Sequence, residues 1–410
     1  MRKTLLPKVL ISAGLAALFL VMAAAGAAAG ELDDVRAAIA AQGAAWVAAE
    51  NPVSVLPSDQ RKLRLGLIKP QAAGQAPFVA AVPPPTGLAA SLDWRSYNGQ
   101  NFVTPVRDQL NCGSCWAFAT AAALESYTLI ADNLPNQDEN LSEQVMVSCS
   151  GAGNCSGGYI EDASDYLRDV GLPLESCYSY TGGNGNCASA CRNYQTDTFH
   201  IGSWSYAATT YPSVDAIKNA LSAYGPLVTT MDVYDDFYYY SSGIYSYTSG
   251  RLQGGHAILI VGYNDAAQCF IVKNSWGTDW GENGYFRIAY SQLNSRAYFG
   301  WWTLAYHQSE TCTYSIYPAS QTFPRAGGTG SISVTCSAAD CAWTAVSNDS
   351  WITITQGAGG SGSGAVFYSV AKNPVRKTRV GTITVAGQTF TVNQKKVGAR
   401  PKNFGGVPGN

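Results

Sequence analysis

The run Gln109-Leu110-Asn111-Cys112-Gly113-Ser114-Cys115-Trp116-Ala117-Phe118 constrains this chain most, because it places a cysteine where a helix is about to begin. A helix-forming stretch from Ala117 to Ile130 follows. A thiol at a helix N-terminus feels the positive end of the macrodipole, which favours the thiolate, the form that attacks carbonyl carbon. Alone, the Cys112/Cys115 pair also fits a redox motif or half of a zinc site. No second Cys-x-x-Cys exists to complete a metal centre, and no metal is expected.

Acyl transfer through a thiolate needs a base, a group that orients the base, and donors for the oxyanion. The chain has only 3 histidines. His200 stands in Thr198-Phe199-His200-Ile201 with no neighbouring signal, and His307 falls at the expected domain junction. His256, in Gly254-Gly255-His256-Ala257-Ile258, precedes an apolar strand pattern and is the candidate base. Asn274, in Lys273-Asn274-Ser275-Trp276-Gly277, is the candidate orienting residue: its amide oxygen would fix the imidazole's tautomer and rotation.

These residues resemble the active-site segments of papain-family cysteine peptidases, whose Cys-Gly-Ser-Cys-Trp signature stands here as Cys112 to Trp116. His256 lies 141 residues after Cys115 (256 − 115), within the family's spacing of about 130–150, and Asn274 lies 159 after it (274 − 115). The resemblance implies Cys115 as nucleophile, His256 as base, Asn274 as its orienter and Trp276 as a shield over their bond. It also implies Gln109 as an oxyanion donor beside the Cys115 backbone N–H. Leu110 departs from the family, which has glycine there. For the substrate cleft the resemblance implies Gly157, Gly158 and Tyr159, with Ile160, Thr230, Met231 and Gly254 flanking an apolar main pocket without an obvious charge. The disulfides it suggests are Cys112–Cys155 and Cys149–Cys187. Cys177–Cys191 and Cys312–Cys341 are plausible further pairs, with Cys269 and Cys336 unassigned. Glu125 and Lys273 are read as a structural buried charge pair, and Tyr234 to Tyr240 as packing.

The fold class expected is α+β: a two-lobed papain-like fold, helical lobe plus β-barrel-like lobe, followed by a small all-β Ig-like sandwich. Along the chain, Arg2, Lys3 and Lys8 precede an apolar run and a small-residue stretch ending at Ala29, which reads as a signal peptide over 1–29. An uncleaved anchor is the alternative. Residues 30–87 read as a prosegment and Pro-rich linker that lies across the cleft until cut, or alternatively as a spacer. Its helical pattern uses Val35, Ile39, Trp46 and Val47, followed by the basic stretch Arg61-Lys62-Leu63-Arg64. The peptidase region spans 88–308. Past it, short alternating stretches such as Ser331–Val334, Val366–Val370 and Gly381–Val385 indicate a β-sandwich over 309–394, with a flexible tail over 395–410. Cys341-Ala342-Trp343-Thr344-Ala345 and Ser350-Trp351-Ile352-Thr353-Ile354 resemble a BACON domain, which implies a carbohydrate or glycoprotein ligand.

Function follows as an expectation: a secreted, periplasmic or extracellular cysteine endopeptidase, made as a precursor, acting on protein or peptide substrates without a cofactor. Net charge is −2 and charged residues make up 13%, so no basic patch or acidic run points to nucleic acid. No membrane association is expected after signal cleavage. With Cys115 kept free, 10 of the 11 cysteines remain for disulfides, in keeping with export. The same triad could serve transpeptidation, and a catalytically silent adhesin is the rival from another class.

Overall fold

In a computed structural model of the protein, residues 30–69, 87–308, 312–337 and 341–396 are described. The expected signal peptide, most of the Pro-rich linker and most of the C-terminal tail lie outside them. The chain divides into two compact units, Met1–Gln308 and Ser309–Asn410.

In the first unit a helix, Cys115–Ala131, packs against a long strand, Leu252–Asn264. Thirteen of its side chains are buried, Thr120, Glu125, Ser126 and Thr128 among them, so it is enclosed on nearly every face, as a central helix must be. Its alanines at 117, 119, 121 and 123 are buried, and small side chains let the helix and its neighbours approach closely. The strand belongs to a nine-stranded sheet, where it pairs antiparallel with Leu227–Tyr234 on one side and Cys269–Lys273 on the other. Every residue of Leu227–Tyr234 is buried, which suits the middle of a sheet covered on both faces. Register places Met231 opposite His256 and Asp232 opposite Gly255.

The prosegment begins with a helix over residues 30–42, whose Leu32 and Val35 are buried. The helical pattern expected to continue through Trp46 and Val47 is broken: Gly43 turns at φ +62°, and Trp46–Ala48 is a strand paired with Tyr240–Tyr245 at the sheet's edge. Trp46 packs its ring 5.2 Å from that of Tyr245, and this tertiary contact overrides the helical spacing. A short helix, Ser58–Lys62, follows, and the chain then extends to Lys69.

The second unit is all β. Two sheets of four and five strands enclose a core that includes Phe323, Ile332, Trp343, Tyr368 and Phe390. Arg379–Val385 and Gln388–Gln394 form a hairpin across Ala386 and Gly387, both at positive φ as a tight two-residue turn requires.

Candidate active site

Cys115 is the first residue of its helix and is fully buried. The preceding loop is held from several sides. Cys112 is bonded to Cys155, and the Gly113 N–H donates to the Cys155 carbonyl at 2.9 Å. The Tyr180 hydroxyl donates to the Gln109 carbonyl at 2.8 Å. Leu110, where the family has glycine, adopts φ +54° with its N–H on Asp108 Oδ1, so the loop keeps its left-handed turn at some backbone cost. The other disulfides are Cys149–Cys187, Cys177–Cys191 and Cys312–Cys341, while Cys115, Cys269 and Cys336 are free.

His256 is brought to the thiol by its own strand: the next N–H, that of Ala257, donates to Cys115 Sγ at 3.5 Å. On the other side His256 Nε2 lies 2.8 Å from Asn274 Oδ1. The amide oxygen can only accept, so this bond puts a proton on Nε2 and leaves Nδ1 to act as base. Nδ1 is buried and has no hydrogen-bond partner among the described residues. The Trp276 ring lies 4.9 Å from the imidazole and is itself wedged by Phe237 and Tyr238 of the tyrosine-rich run. That run is packing, and what it packs is the lid over the His256–Asn274 bond.

Gln109 is fully buried and spanned by bonds: its Oε1 accepts from Ser275 Oγ at 2.6 Å, and its Nε2 donates to the carbonyls of Cys112 and Arg64. Ser275 escaped the sequence reading. Its only signal was its place between Asn274 and Trp276. Glu125 and Lys273 do not meet directly. The Thr104 hydroxyl stands between them, accepting from Lys273 Nζ at 2.9 Å and donating to Glu125. His200 and His307 are elsewhere, bonded to Thr198 and Ser205.

The prosegment fills the cleft. Gly66 donates its N–H to Cys115 Sγ at 3.2 Å, and Arg64 gives its carbonyl to Gln109 Nε2 at 3.1 Å. Gly158 donates to the Gly66 carbonyl at 2.9 Å and accepts from the Ile68 N–H at 3.0 Å, in parallel pairing. Leu67 donates to the Gly255 carbonyl. Glycine is needed at 66, since a Cβ there would stand 1.8 Å from the Gly113 carbonyl oxygen. The sulfur therefore faces an N–H instead of a carbonyl carbon, and the amide of Gln109 is already occupied. Burial pushes the Cys115 thiol up to about 11 despite the N–H groups of Ala257 and Gly66, and pushes His256 down to about 4. In the precursor, burial thus favours the neutral thiol and the neutral imidazole.

Three expectations about the pocket need correction. The cavity beside Thr230 and Met231 also contains Asp232, so it is not without charge, and Tyr298, Trp301 and Trp302 complete its wall. Ile160 does not line it; Ile160 is wholly buried at the start of the helix Ile160–Asp169, in the core. Gly254 faces Leu65 of the prosegment instead. Tyr159 caps that same helix, its N–H on the Ala152 carbonyl. Gly157, at φ +131°, and Gly158 form the paired wall, and a Cβ on Gly158 would meet the Trp116 ring at 2.5 Å.

Known proteins resemble the chain along both of its units. The pattern of the papain family cysteine protease matches residues 88–298, and that of the viral BACON domain matches 313–396. A cathepsin B-like protein, CP3, of Giardia intestinalis is 37% identical over 245 residues, covering 58% of this chain and 76% of its own. A cathepsin L-like proteinase of Fasciola hepatica is 41% identical over 209 residues, 50% of this chain and 61% of its own. Among solved structures, the digestive procathepsin L2 proteinase from Tenebrio molitor larval midgut superposes with a TM-score of 0.56 at 30% identity, over 67% of this chain and 88% of that one. It too is a precursor. The chain is a cysteine-type peptidase made as a proenzyme, and it belongs to the papain family.

Proposed function

We propose that the chain is a secreted endopeptidase in which Cys115, His256, Asn274 and Gln109 carry the chemistry. The observation that carries this reading is the prosegment's use of the site: its backbone engages the sulfur, the Gln109 amide and Gly158 at once, as a substrate backbone would need to. With the segment removed, water and substrate dipoles replace it, and proton transfer from Cys115 Sγ to His256 Nδ1 gives the thiolate–imidazolium pair. The thiolate attacks the scissile carbonyl carbon, forming an S–C bond while the carbonyl π pair moves to oxygen. Gln109 Nε2 and the Cys115 N–H receive that oxyanion. The C–N bond then breaks, His256 delivers its proton to the departing amine, and a water, deprotonated by His256, hydrolyses the thioester.

Secretion is supported by the N-terminal charge and hydropathy pattern and the four disulfides, which persist in oxidising compartments. No helix among the described residues is long and apolar enough to cross a membrane. The C-terminal sandwich is read as a carbohydrate- or glycoprotein-binding module, supported by the BACON match; a glycan array on the full chain tests it, and a blank array counts against it. For the peptidase, an epoxide or vinyl-sulfone thiol probe should label the processed chain at Cys115 and leave Cys115→Ala unlabelled. Equal labelling of both proteins, or of neither, would sink the reading.

A further inference from the structure

Asp232 sits in the strand Leu227–Tyr234, across from Gly255 and so one residue from the catalytic register. Its side chain is 5% exposed, and its N–H is pinned to the Ala297 carbonyl at 2.7 Å. Oδ1 has no hydrogen-bond partner beyond one cation: Lys69 Nζ, at 2.5 Å. Lys69 is Asp232's single ion-pair partner among the described residues. It also belongs to the prosegment, three residues after Gly66, and its ammonium lies 5.8 Å from the centre of the Tyr298 ring.

Processing therefore removes the counter-ion and leaves the carboxylate. With the segment gone, the carboxylate lines a cavity of about 170 Å³ walled by Tyr298, Trp301 and Trp302, and a substrate side chain that closes over it must supply a cation or bury the charge unpaired. The rings that cannot solvate it do attract an ammonium or guanidinium and can sheathe its methylenes. We propose that Asp232 is a specificity determinant of the cleft, receiving a lysine or arginine side chain of the protein substrate in the place that Lys69 holds in the precursor. This deepens the peptidase reading and rests on it. An apolar substrate side chain at the same place would bury the carboxylate unpaired, so the selection works by rejection as well as attraction. In an extended chain alternate side chains share a side, so Leu67, opposite Gly158, and Lys69 face this wall together. A substrate paired with Gly158 passes the same wall.

The test uses vinyl-sulfone probes with lysine or leucine scanned over the four positions before the reactive carbon, on the processed full-length protein. At one position lysine should label Cys115 about tenfold faster than leucine, and the ratio should fall to near one in Asp232→Asn. A ratio measured on one preparation does not depend on how much of it is folded. Acetylating the probe's lysine removes the charge and should abolish the advantage in the wild type, which requires no variant. Equal rates at all four positions, or a ratio untouched by acetylation, overturns the proposal. Lysine-selective labelling without hydrolysis of any peptide keeps the subsite and removes the peptidase reading; hydrolysis without lysine preference does the reverse.

Discussion

Gln109 donates its side-chain amide to the carbonyl of Arg64, 3.1 Å away, so the donor that the proposed reaction needs is engaged by the segment whose removal it requires. The Trp276 indole N–H approaches the same oxygen at 3.4 Å. Arg64 is fixed in turn by its ion pair with Asp108 at 2.8 Å. On the proposed mechanism, inhibition and catalysis use the same polar atoms.

Removing the Gln109 donor should cost about 10²–10³ in kcat of the processed enzyme, with KM little changed. Ser275→Ala leaves the amide present but unbraced, and a loss of about 3- to 10-fold is expected from one neutral hydrogen bond. Steady-state kinetics on a fluorogenic peptide checks both. A Gln109→Ala enzyme as fast as wild type would remove Gln109 from the machinery.

Gly66→Ala should weaken inhibition. The added methyl must displace the Gly113 carbonyl or the strap itself, and overpacking of this kind costs about 1–3 kcal/mol. Thiol-probe labelling of the intact precursor should therefore speed up roughly 10- to 100-fold. The processed enzyme, having lost residue 66, should be unchanged. A variant precursor that resists the probe as well as wild type would show that the contact does not hold the segment.

The buried pair sets a pH signature. With Cys115 pushed up to about 11 and His256 down to about 4, the precursor thiol should stay slow towards a small alkylating reagent at neutral pH. It should react appreciably only above about pH 10. Between His256's ordinary 6.5 and about 4 the unfolded chain binds a proton that the folded one refuses. This histidine therefore withdraws stability as pH falls through that window. Comparing denaturant midpoints of wild type and His256→Gln across it should show a smaller acid loss in the variant. The same slope in both would contradict the assignment.

Replacing Cys112 and Cys155 together by alanine opens a cross-link with sequence separation 43, worth about 4 kcal/mol in the chain-entropy account. Thermal or denaturant unfolding should reveal the loss. Probe labelling at Cys115 should survive if folding is retained, because Cys115 takes no part in a disulfide.

Legibility in the sequence followed the range of each interaction. Cys115, His256, Asn274 and Gln109 sit in local motifs whose flanking glycines and tryptophan carry their own structural reasons, and the structure brings all four together. Asp232 was invisible because its significance comes from Lys69, 163 residues earlier (232 − 69), and nothing local marks a strand aspartate as a pocket wall. Trp46 was misassigned because its spacing suited a helix, whereas its energy comes from Tyr240 and Tyr245 across the sheet. Thr104 between Glu125 and Lys273 was missed likewise: charge patterning reveals opposite signs, not the hydroxyl between them.

The strand Trp46–Ala48 has a consequence that reaches beyond the cleft. It caps one end of the nine-stranded sheet, and it belongs to the segment that the proposed maturation removes. Maturation thus turns Tyr240–Tyr245 from an inner strand into a bare margin with free N–H and C=O groups, beside aromatic rings that Trp46 had covered. A protease matured in this way has a stickier flank than its precursor, so its tendency to self-associate rises at the step that activates it.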